Sequence, residues 1–147
     1  MPEKRPSVLF VCYDNMGRSI IAQTLARRRW KSAVRIESAG FSRLAAARLA
    51  ADPAVLKAVG TTSRRLSRHL DTLNLARFDL FVAMDDGVAV ELVERDVPVE
   101  KLVVWDFADP DDYSVESYKV LAMEMARAIE ALEIELRTFD FGRALSA

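Results

Sequence analysis

The sequence predicts an α/β protein: a three-layer, doubly wound sheet of four parallel strands with helices on both faces. Segments of strand length alternate along the chain with segments of helical periodicity, which is the order of repeated β-α units. The strand segments are apolar almost throughout, as in strands that are buried on both faces of a sheet. The 147 residues suit one domain with a sizeable core, and we expect a single domain over residues 1–147.

The first two strands lie within the first 40 residues. Residues 7–11 form an apolar run, and apolar residues at helical spacing then predict a helix over residues 19–31. Residues 34–37 alternate between apolar and charged, and the Ser-Ala-Gly turn that follows ends a second strand.

Helical segments separate the second strand from the third. Residues 41–51 are rich in alanine, arginine and leucine and are compatible with a helix. Asp52 is a suitable N-cap with proline at the first helical position, and it begins a helix that Gly60 ends. The apolar run within residues 77–84 predicts the third strand.

The remaining elements complete the alternation. After a cap at Asp85 or Asp86, four segments follow: a helix over 87–95, a fourth strand over 101–105, an acidic loop over 106–112 and a closing helix over 114–138. The periodic apolar positions of this last segment predict one long amphipathic helix that packs on the sheet.

Composition excludes several classes of protein. Hydrophobic residues make up 51% and charged residues 29% of the chain, which is typical of a soluble globular protein and not of a disordered one. A formal net charge of −1 gives no field suited to nucleic acid or to an anionic membrane, so neither is an expected partner. No apolar run reaches the ~18 residues of a membrane span, and residues 1–6 lack a signal peptide's apolar core, so we expect a cytoplasmic location. With one cysteine, neither an intramolecular disulfide nor a thiolate zinc cluster is expected.

One segment carries the features of an anion-binding loop. The first strand ends on Cys12, and Arg18 and Ser19 begin a helix after five intervening residues, Tyr13, Asp14, Asn15, Met16 and Gly17. A loop of this length turns backbone N–H groups inward, and the helix N-terminus adds unpaired donors and a positive dipole. An oxyanion held there would contact the sulfur on one side and a bidentate guanidinium on the other, while the positive field would favour the thiolate. The pattern therefore predicts nucleophilic attack on phosphorus by Cys12.

The alternative is structural. A cysteine at a strand end is more often a small buried apolar residue, and Cys-x5-Arg alone is a weak pattern. The strand–loop–helix context supports the functional interpretation. Topology supports it too, because ligands of such sheets bind beyond the carboxyl ends of the strands, where Cys12, Ser38, Asp85 and the loop after Trp105 are expected.

A thiolate that attacks a phosphate monoester needs a second group to protonate the leaving oxygen. His69 is the only histidine, but it lies in a polar stretch where a lone histidine is more often structural. Asp109 is the better candidate, because Pro110 fixes the backbone after it and the loop lies at a strand end. The alternative for Asp109 is a solvated acidic loop that caps the last helix, as we expect of Asp111 and Asp112.

Together these residues resemble the low-molecular-weight protein tyrosine phosphatase family, which includes thiol-coupled arsenate reductases. The resemblance covers nearly the whole chain. It rests on SVLFVC with Asn15, Arg18 and Ser19, on Ile21-Ala22, on Glu37-Ser38-Ala39-Gly40, on Phe78-Asp79-Leu80 with Ala83-Met84-Asp85, and on Asp109-Pro110. Several motifs in the family's order are more specific than any one of them.

The resemblance implies a role for each of these site residues. Cys12 would form a phosphocysteine intermediate, Arg18 would clamp the phosphoryl oxygens, and Asp109 would act first as acid and then as base for the attacking water. Ser19 would hydrogen-bond the sulfur, and Asn15 would hold the loop through Ser38. It implies no metal and no organic cofactor. The implied ligands are a phosphorylated protein or small aryl phosphate and, in the loop, inorganic phosphate or another oxyanion.

The chain departs from the family pattern around the site. Within the loop and the first helix, Asp14 stands where the family usually has glycine, Gly17 where it has cysteine, and Ile20 where it has proline. Asp111 and Asp112 stand where two aromatic residues usually wall the phosphotyrosine slot. Arg65 stands where a histidine often supports the loop. A carboxylate aimed at a bound anion would weaken its binding. We therefore expect the Asp14 side chain to point away from the loop's centre.

Three functions are compatible with these residues. The first is hydrolysis of phosphotyrosine or an aryl phosphate monoester. The second is arsenate reduction, in which Cys12 attacks arsenic; with one cysteine, such an enzyme would need an external thiol and a redoxin. The third is a catalytically weak regulatory pseudo-phosphatase, against which the presence of Cys12, Arg18 and Asp109 together argues.

Overall fold

The computed structural model describes residues 5–62 and 65–136. The strands are β1 (Ser7–Val11), β2 (Arg35–Ala39), β3 (Leu80–Ala83) and β4 (Leu102–Val104). The α-helices are α1 (Arg18–Trp30), α2 (Arg43–Ala46), α3 (Pro53–Ala58), α4 (Asp86–Glu94) and α5 (Val115–Leu136).

The four strands form one parallel sheet in the order β2-β1-β3-β4. The register places Val11 beside both Ala39 and Ala83, and Ala83 beside Val104, so the carboxyl ends of all four strands lie at the same edge. Helices cover both faces, and the α/β fold class predicted from the sequence is confirmed.

The side chains of β1 alternate between two hydrophobic cores. Val8, Phe10 and Cys12 belong to the larger core, which includes apolar residues of α1, α3 and α5. Leu9 and Val11 belong to the smaller core on the opposite face, which includes Val88 and Leu92 of α4. Burial on both faces explains why this strand is apolar throughout.

Most predicted elements are present with bounds that differ by a few residues. The exception is the segment 41–51, where α2 covers only Arg43–Ala46 and Arg48 has a φ of 55°, a left-handed conformation that does not continue a helix. Helix α3 begins as predicted, since the Asp52 side chain accepts a hydrogen bond from Ala54 N at 2.8 Å. Of the helix predicted over 114–138, residues 137 and 138 lie outside the described residues.

No helix within the described residues is long and apolar enough to cross a membrane.

Candidate active site

The predicted site residues meet at the carboxyl edge of the sheet. Cys12 follows β1, Ser38 is in the last two residues of β2, and Asp85 follows β3. The segment after β4 brings Phe107 O within 2.7 Å of Arg18 Nη1. The convergence expected from topology alone is therefore present in the structure.

Asn15 holds the loop between β1 and α1 in place. It is fully buried and has a φ of 57°, a left-handed conformation that asparagine tolerates better than most residues. Its Nδ2 donates to Ser19 Oγ at 2.8 Å and to Ser38 Oγ at 3.0 Å, and its Oδ1 accepts from Arg68 N at 2.9 Å. The contact between Asn15 and Ser38 that the resemblance implied is thus formed. Gln23, which the sequence did not single out, accepts a hydrogen bond from Ser38 Oγ at 2.6 Å.

Gly40 allows the β2 end to approach the loop closely. A Cβ atom at this position would lie 2.6 Å from Tyr13 O and 2.9 Å from Asn15 N, both backbone atoms. The same Tyr13 carbonyl accepts hydrogen bonds from Phe41 N at 2.9 Å and from Ser42 N at 3.1 Å. Only glycine fits this contact, so Gly40 contributes to the shape of the loop as well as ending the strand.

The Cys12 sulfur sits at the base of the loop with 3% of the residue exposed. Its Sγ lies 2.9 Å from Ser19 Oγ and accepts a hydrogen bond from Asn15 N at 3.2 Å. Helix α1 begins at Arg18 without a side-chain cap. Among the described residues, the backbone N–H groups of Asp14, Met16 and Gly17 donate to no acceptor. These donors and the helix N-terminus are available to an oxyanion in front of the sulfur.

Arg18 is held by hydrogen bonds from one nitrogen of its guanidinium, Nη1. Nη1 donates to Asp85 Oδ2 at 2.8 Å and to Phe107 O at 2.7 Å. Burial by itself would lower the pKa of Arg18, but the hydrogen bond to Asp85 and the charges of Asp109 and Cys12 outweigh it and raise that pKa. Nε is buried and donates no hydrogen bond within the described residues, although Asp109 Oδ1 lies 3.2 Å away in an unfavourable direction. A buried donor of this kind is what a bound oxyanion would satisfy.

Asp109 lies on the open side of the site, with about half of its side chain exposed (52%). It borders a cleft of about 230 Å³ that also contains Cys12 and Arg18. The other residues that line this cleft are Asp14, Met16, Gly17, Leu44, Asp52, Tyr113 and Tyr118. The cleft thus places a nucleophile, a cation and a carboxyl group around one space.

Asp14 is among the residues that line this cleft, and the expectation that its carboxylate points away from the loop's centre stays a prediction. The expectation followed from repulsion between a carboxylate and a bound anion. In the structure, the neighbouring loop residue Asn15 is turned inward as the buried hub, and Asp14 remains half-buried at the cleft.

Sequence reasoning missed several residues of the cleft. Tyr113 and Tyr118 line it, although the positions after Pro110 carry Asp111 and Asp112 instead of aromatic residues. A tyrosine three residues beyond Pro110 was a usable signal for an aromatic wall, whereas Tyr118 looked like one of the core positions of α5. Asp52 was recognised only as a helix cap, and no local pattern shows that α3 begins beside the loop.

Arg65 supports the site indirectly. Arg65 Nη2 and Arg68 Nη1 both pair with Glu37 Oε2, next to Ser38 in β2. Since the backbone of Arg68 also holds Asn15, the ion pairs tie the segment 65–68 to the back of the loop. His69 acts structurally, because its Nδ1 accepts a hydrogen bond from Asp71 N at 3.0 Å.

The residue that caps α5 is Ser114, whose Oγ accepts a hydrogen bond from Ser117 N at 3.1 Å. Asp112, expected to cap this helix, supports the cap from the preceding loop. Its Oδ1 accepts hydrogen bonds from Ser114 N, Ser114 Oγ and Ser117 Oγ. These bonds lower the pKa of Asp112, with that from Ser117 contributing most. The described residues contain no group of three or more histidine, cysteine, aspartate or glutamate side chains that could hold a metal ion.

The comparisons with known proteins agree with this geometry. The family model described as low molecular weight phosphotyrosine protein phosphatase matches residues 7–139. A low-molecular-weight protein tyrosine phosphatase from T. tengcongensis is 24% identical, with a TM-score of 0.78 over 89% of this chain and 99% of that one. The YwlE arginine phosphatase from Geobacillus stearothermophilus is also 24% identical, with a TM-score of 0.78 over 90% of this chain and 94% of that one. A structure described as an arsenate reductase in the oxidized state is 23% identical, with a TM-score of 0.72 over 86% of this chain and 95% of that one. At these identities the structural likeness shows a shared fold, and the family match covers most of the chain.

Proposed function

Because the chain belongs to the low molecular weight phosphotyrosine protein phosphatase family, we propose that it hydrolyses phosphotyrosine or an aryl phosphate monoester through a phosphocysteine intermediate. The observation that supports this most is the buried Arg18 Nε, which donates no hydrogen bond within the described residues and lies beside the cleft that Cys12 lines. A binding module for a neutral ligand would have no use for an unpaired guanidinium edge next to a sulfur.

In the first step, the Cys12 thiolate attacks phosphorus and the bond from phosphorus to the ester oxygen breaks. The Nε and Nη2 groups of Arg18 and the loop N–H groups bind the phosphoryl oxygens, where negative charge is distributed in the transition state. Asp109 enters this step protonated and gives its proton to the leaving oxygen, so an alcohol or phenol departs.

In the second step, a water molecule attacks the phosphorus of phosphocysteine. Asp109, now a carboxylate, takes a proton from that water, and the bond from sulfur to phosphorus breaks. Ser19 Oγ lies 2.9 Å from Cys12 Sγ, so its hydroxyl is placed to donate to the departing thiolate. Phosphate leaves and the site is restored without a cofactor.

The test is turnover of p-nitrophenyl phosphate and of a phosphotyrosine peptide by the wild-type protein and by Cys12→Ser. We expect turnover by the wild type and none by Cys12→Ser, because a serine hydroxyl is far less acidic than a thiol. Circular dichroism and the thermal midpoint check that the variant is folded. Turnover by Cys12→Ser close to that of the wild type would remove Cys12 from the mechanism.

The alternatives are tested in parallel. Arsenate with an external thiol and a redoxin tests arsenate reduction, since the same loop could hold arsenate and the chain has no second cysteine. Phosphoarginine is assayed because a similar structure is an arginine phosphatase. Phosphate binding without turnover of any of these compounds would identify a pseudo-phosphatase.

A further inference from the structure

The charges that line the cleft are unbalanced. Asp14, Asp52 and Asp109 are acidic residues that line it, and Arg18 is the one cationic residue lining the cleft within the described part of the chain. Arg18 already donates to Asp85, and its Nε lies 3.2 Å from Asp109. The positive charge of Arg18 is therefore largely matched before Asp14 and Asp52 are counted.

Asp14 and Asp52 have no cationic partner in residues 5–62 and 65–136. The Asp14 carboxylate makes no hydrogen bond to the described residues. One oxygen of Asp52 accepts from Ala54 N, and Asp52 N donates to Met16 O at 3.3 Å, which fixes this carboxylate beside the loop. Two further aspartates thus line a cleft whose buried guanidinium has an Nε that donates no hydrogen bond within the described residues.

A substrate with only a phosphoryl group would be repelled by these two carboxylates, since like charges that share one partly desolvated cleft destabilise each other. A substrate that also carries a cation beside the phosphoryl group would instead meet a complementary pattern: Arg18 and the loop for the anion, Asp14 and Asp52 for the cation. Leu44 and the exposed ring of Tyr113 line the same cleft and would contact the apolar stem of a lysine or arginine.

We propose that the cleft selects phosphorylated protein segments that carry a lysine or arginine next to the phosphorylated residue, and that Asp14 and Asp52 bind that cation. This inference rests on the proposed phosphatase function. It adds a charge preference that the family match does not supply, and it assigns a role to the two carboxylates for which hydrolysis has no use.

The test uses three phosphotyrosine peptides that differ only in the residue next to phosphotyrosine: lysine, glutamine or glutamate. We expect kcat/KM to fall in that order, with a ratio of about tenfold or more between lysine and glutamate at low salt. In ~0.5 M salt the ratio should fall to about threefold, because screening weakens interactions between partly exposed charges.

The variants Asp14→Asn and Asp52→Asn should each reduce the lysine-to-glutamate ratio by about threefold. Asparagine is also a good N-cap, so the change at position 52 keeps the start of α3 intact. The matched control is Glu94→Gln, which removes one exposed carboxylate of α4 that does not line the cleft and should leave the ratio unchanged.

Binding of the same peptides to Cys12→Ser separates this inference from the proposed function. Tighter binding of the lysine peptide, without hydrolysis of the peptides or of p-nitrophenyl phosphate by the wild type, would refute the phosphatase and support the charge preference. Hydrolysis of all three peptides with equal kcat/KM, or a ratio that persists in Asp14→Asn and Asp52→Asn, would overturn the inference while the phosphatase stands. Absence of binding to all three peptides would overturn the inference, whereas the phosphatase itself is decided by turnover of p-nitrophenyl phosphate.

Discussion

Arg18 Nη1 and Asp85 Oδ2 lie 2.8 Å apart and join the start of α1 to the end of β3. Burial would raise the pKa of Asp85, but the hydrogen bonds from Arg18 and from Val88 N outweigh it and hold that pKa below 3.8. Because the same carboxylate accepts from Val88 N at 2.9 Å, it is fixed on the N-terminus of α4. Asp85 thereby sets the direction of the guanidinium whose other edge faces the cleft.

We predict that Asp85→Asn lowers the free energy of unfolding at neutral pH by about 1–2 kcal/mol, in the lower range for a hydrogen bond between charged groups because the carboxylate is partly exposed. A depressed carboxyl pKa stabilises the folded state above the unfolded-state pKa, near 3.8. That stabilisation is lost as the pH falls through the lower folded-state pKa. Urea unfolding of both proteins between neutral and strongly acidic pH measures the difference.

The matched control is Asp86→Asn, which removes an exposed carboxylate one residue further along α4. It should show a small and nearly pH-independent effect. A difference between Asp85→Asn and the wild type that stays constant down to the lowest pH would contradict the assignment of the stabilisation to this ion pair.

The role of Asp109 predicts a dependence on the leaving group. Asp109→Asn should lower kcat by ~10²–10³-fold for phosphate esters of poorly acidic alcohols, because their oxygen must be protonated as it leaves. The loss should shrink for p-nitrophenyl phosphate, whose phenolate leaves readily. Asp106→Asn, an exposed neighbour that does not line the cleft, is the control. An equal loss for all leaving groups would assign Asp109 a structural role.

The elements that the sequence predicted best are those decided by local pattern and topology. The apolar run of β1 has the composition that burial on both faces requires, and the parallel alternation brings Cys12, Ser38 and Asp85 to one edge. Asn15, Arg18 and Ser19 could be placed in the loop because spacing within a short segment fixes their positions.

The features that the sequence did not predict depend on how distant segments pack. Asp52 reaches the cleft because α3 begins beside Met16, and Tyr118 reaches it because α5 passes over Gly17. In the sequence, Asp52 is accounted for as a helix N-cap and Tyr118 as a core position of α5, so neither residue indicates a functional site. Asn15 turns inward through a left-handed conformation, which the resemblance implied by its contact with Ser38 but which the loop's composition alone does not specify.

Gly17 makes the redox behaviour of the enzyme testable. Cys12 is the only cysteine of the chain, so its sulfenic acid cannot be trapped as an intramolecular disulfide and should proceed to irreversible sulfinic acid under peroxide. A Cβ atom at position 17 would meet Tyr118 at 3.8 Å, an ordinary contact, and the φ of −133° is outside the left-handed region that favours glycine. Gly17→Cys should therefore fold and supply a trapping thiol.

We predict that a thiol reductant after prolonged peroxide treatment restores little activity to the wild type and most of it to Gly17→Cys. Gly17→Ala, which adds the Cβ without the thiol, should behave like the wild type. Activity of each protein before and after treatment is the measurement. Full recovery of the wild type would show that sulfenic acid is protected in some other way.

The last prediction concerns Tyr118, which is 3% exposed and packs against the loop at Gly17. Burial, followed by the negative charges of Asp52 and Asp109 and by Tyr113, raises the pKa of Tyr118 to about 12. A raised pKa of an acid stabilises the folded state below the unfolded-state pKa of about 10, and this stabilisation is lost as the pH rises from there to about 12.

We expect the ultraviolet absorbance of tyrosinate, recorded after a rapid pH jump, to show a step near pH 12 that Tyr118→Phe removes. Tyr113→Phe, which changes an exposed tyrosine of the same cleft, should keep that step. Above about pH 10 the wild type should lose stability relative to Tyr118→Phe, by roughly 2–3 kcal/mol over the full shift. Persistence of the step in Tyr118→Phe would mean that another group ionises there. An unchanged stability difference across this range would mean that burial and the charges of Asp52 and Asp109 do not hold the Tyr118 phenol in its neutral form.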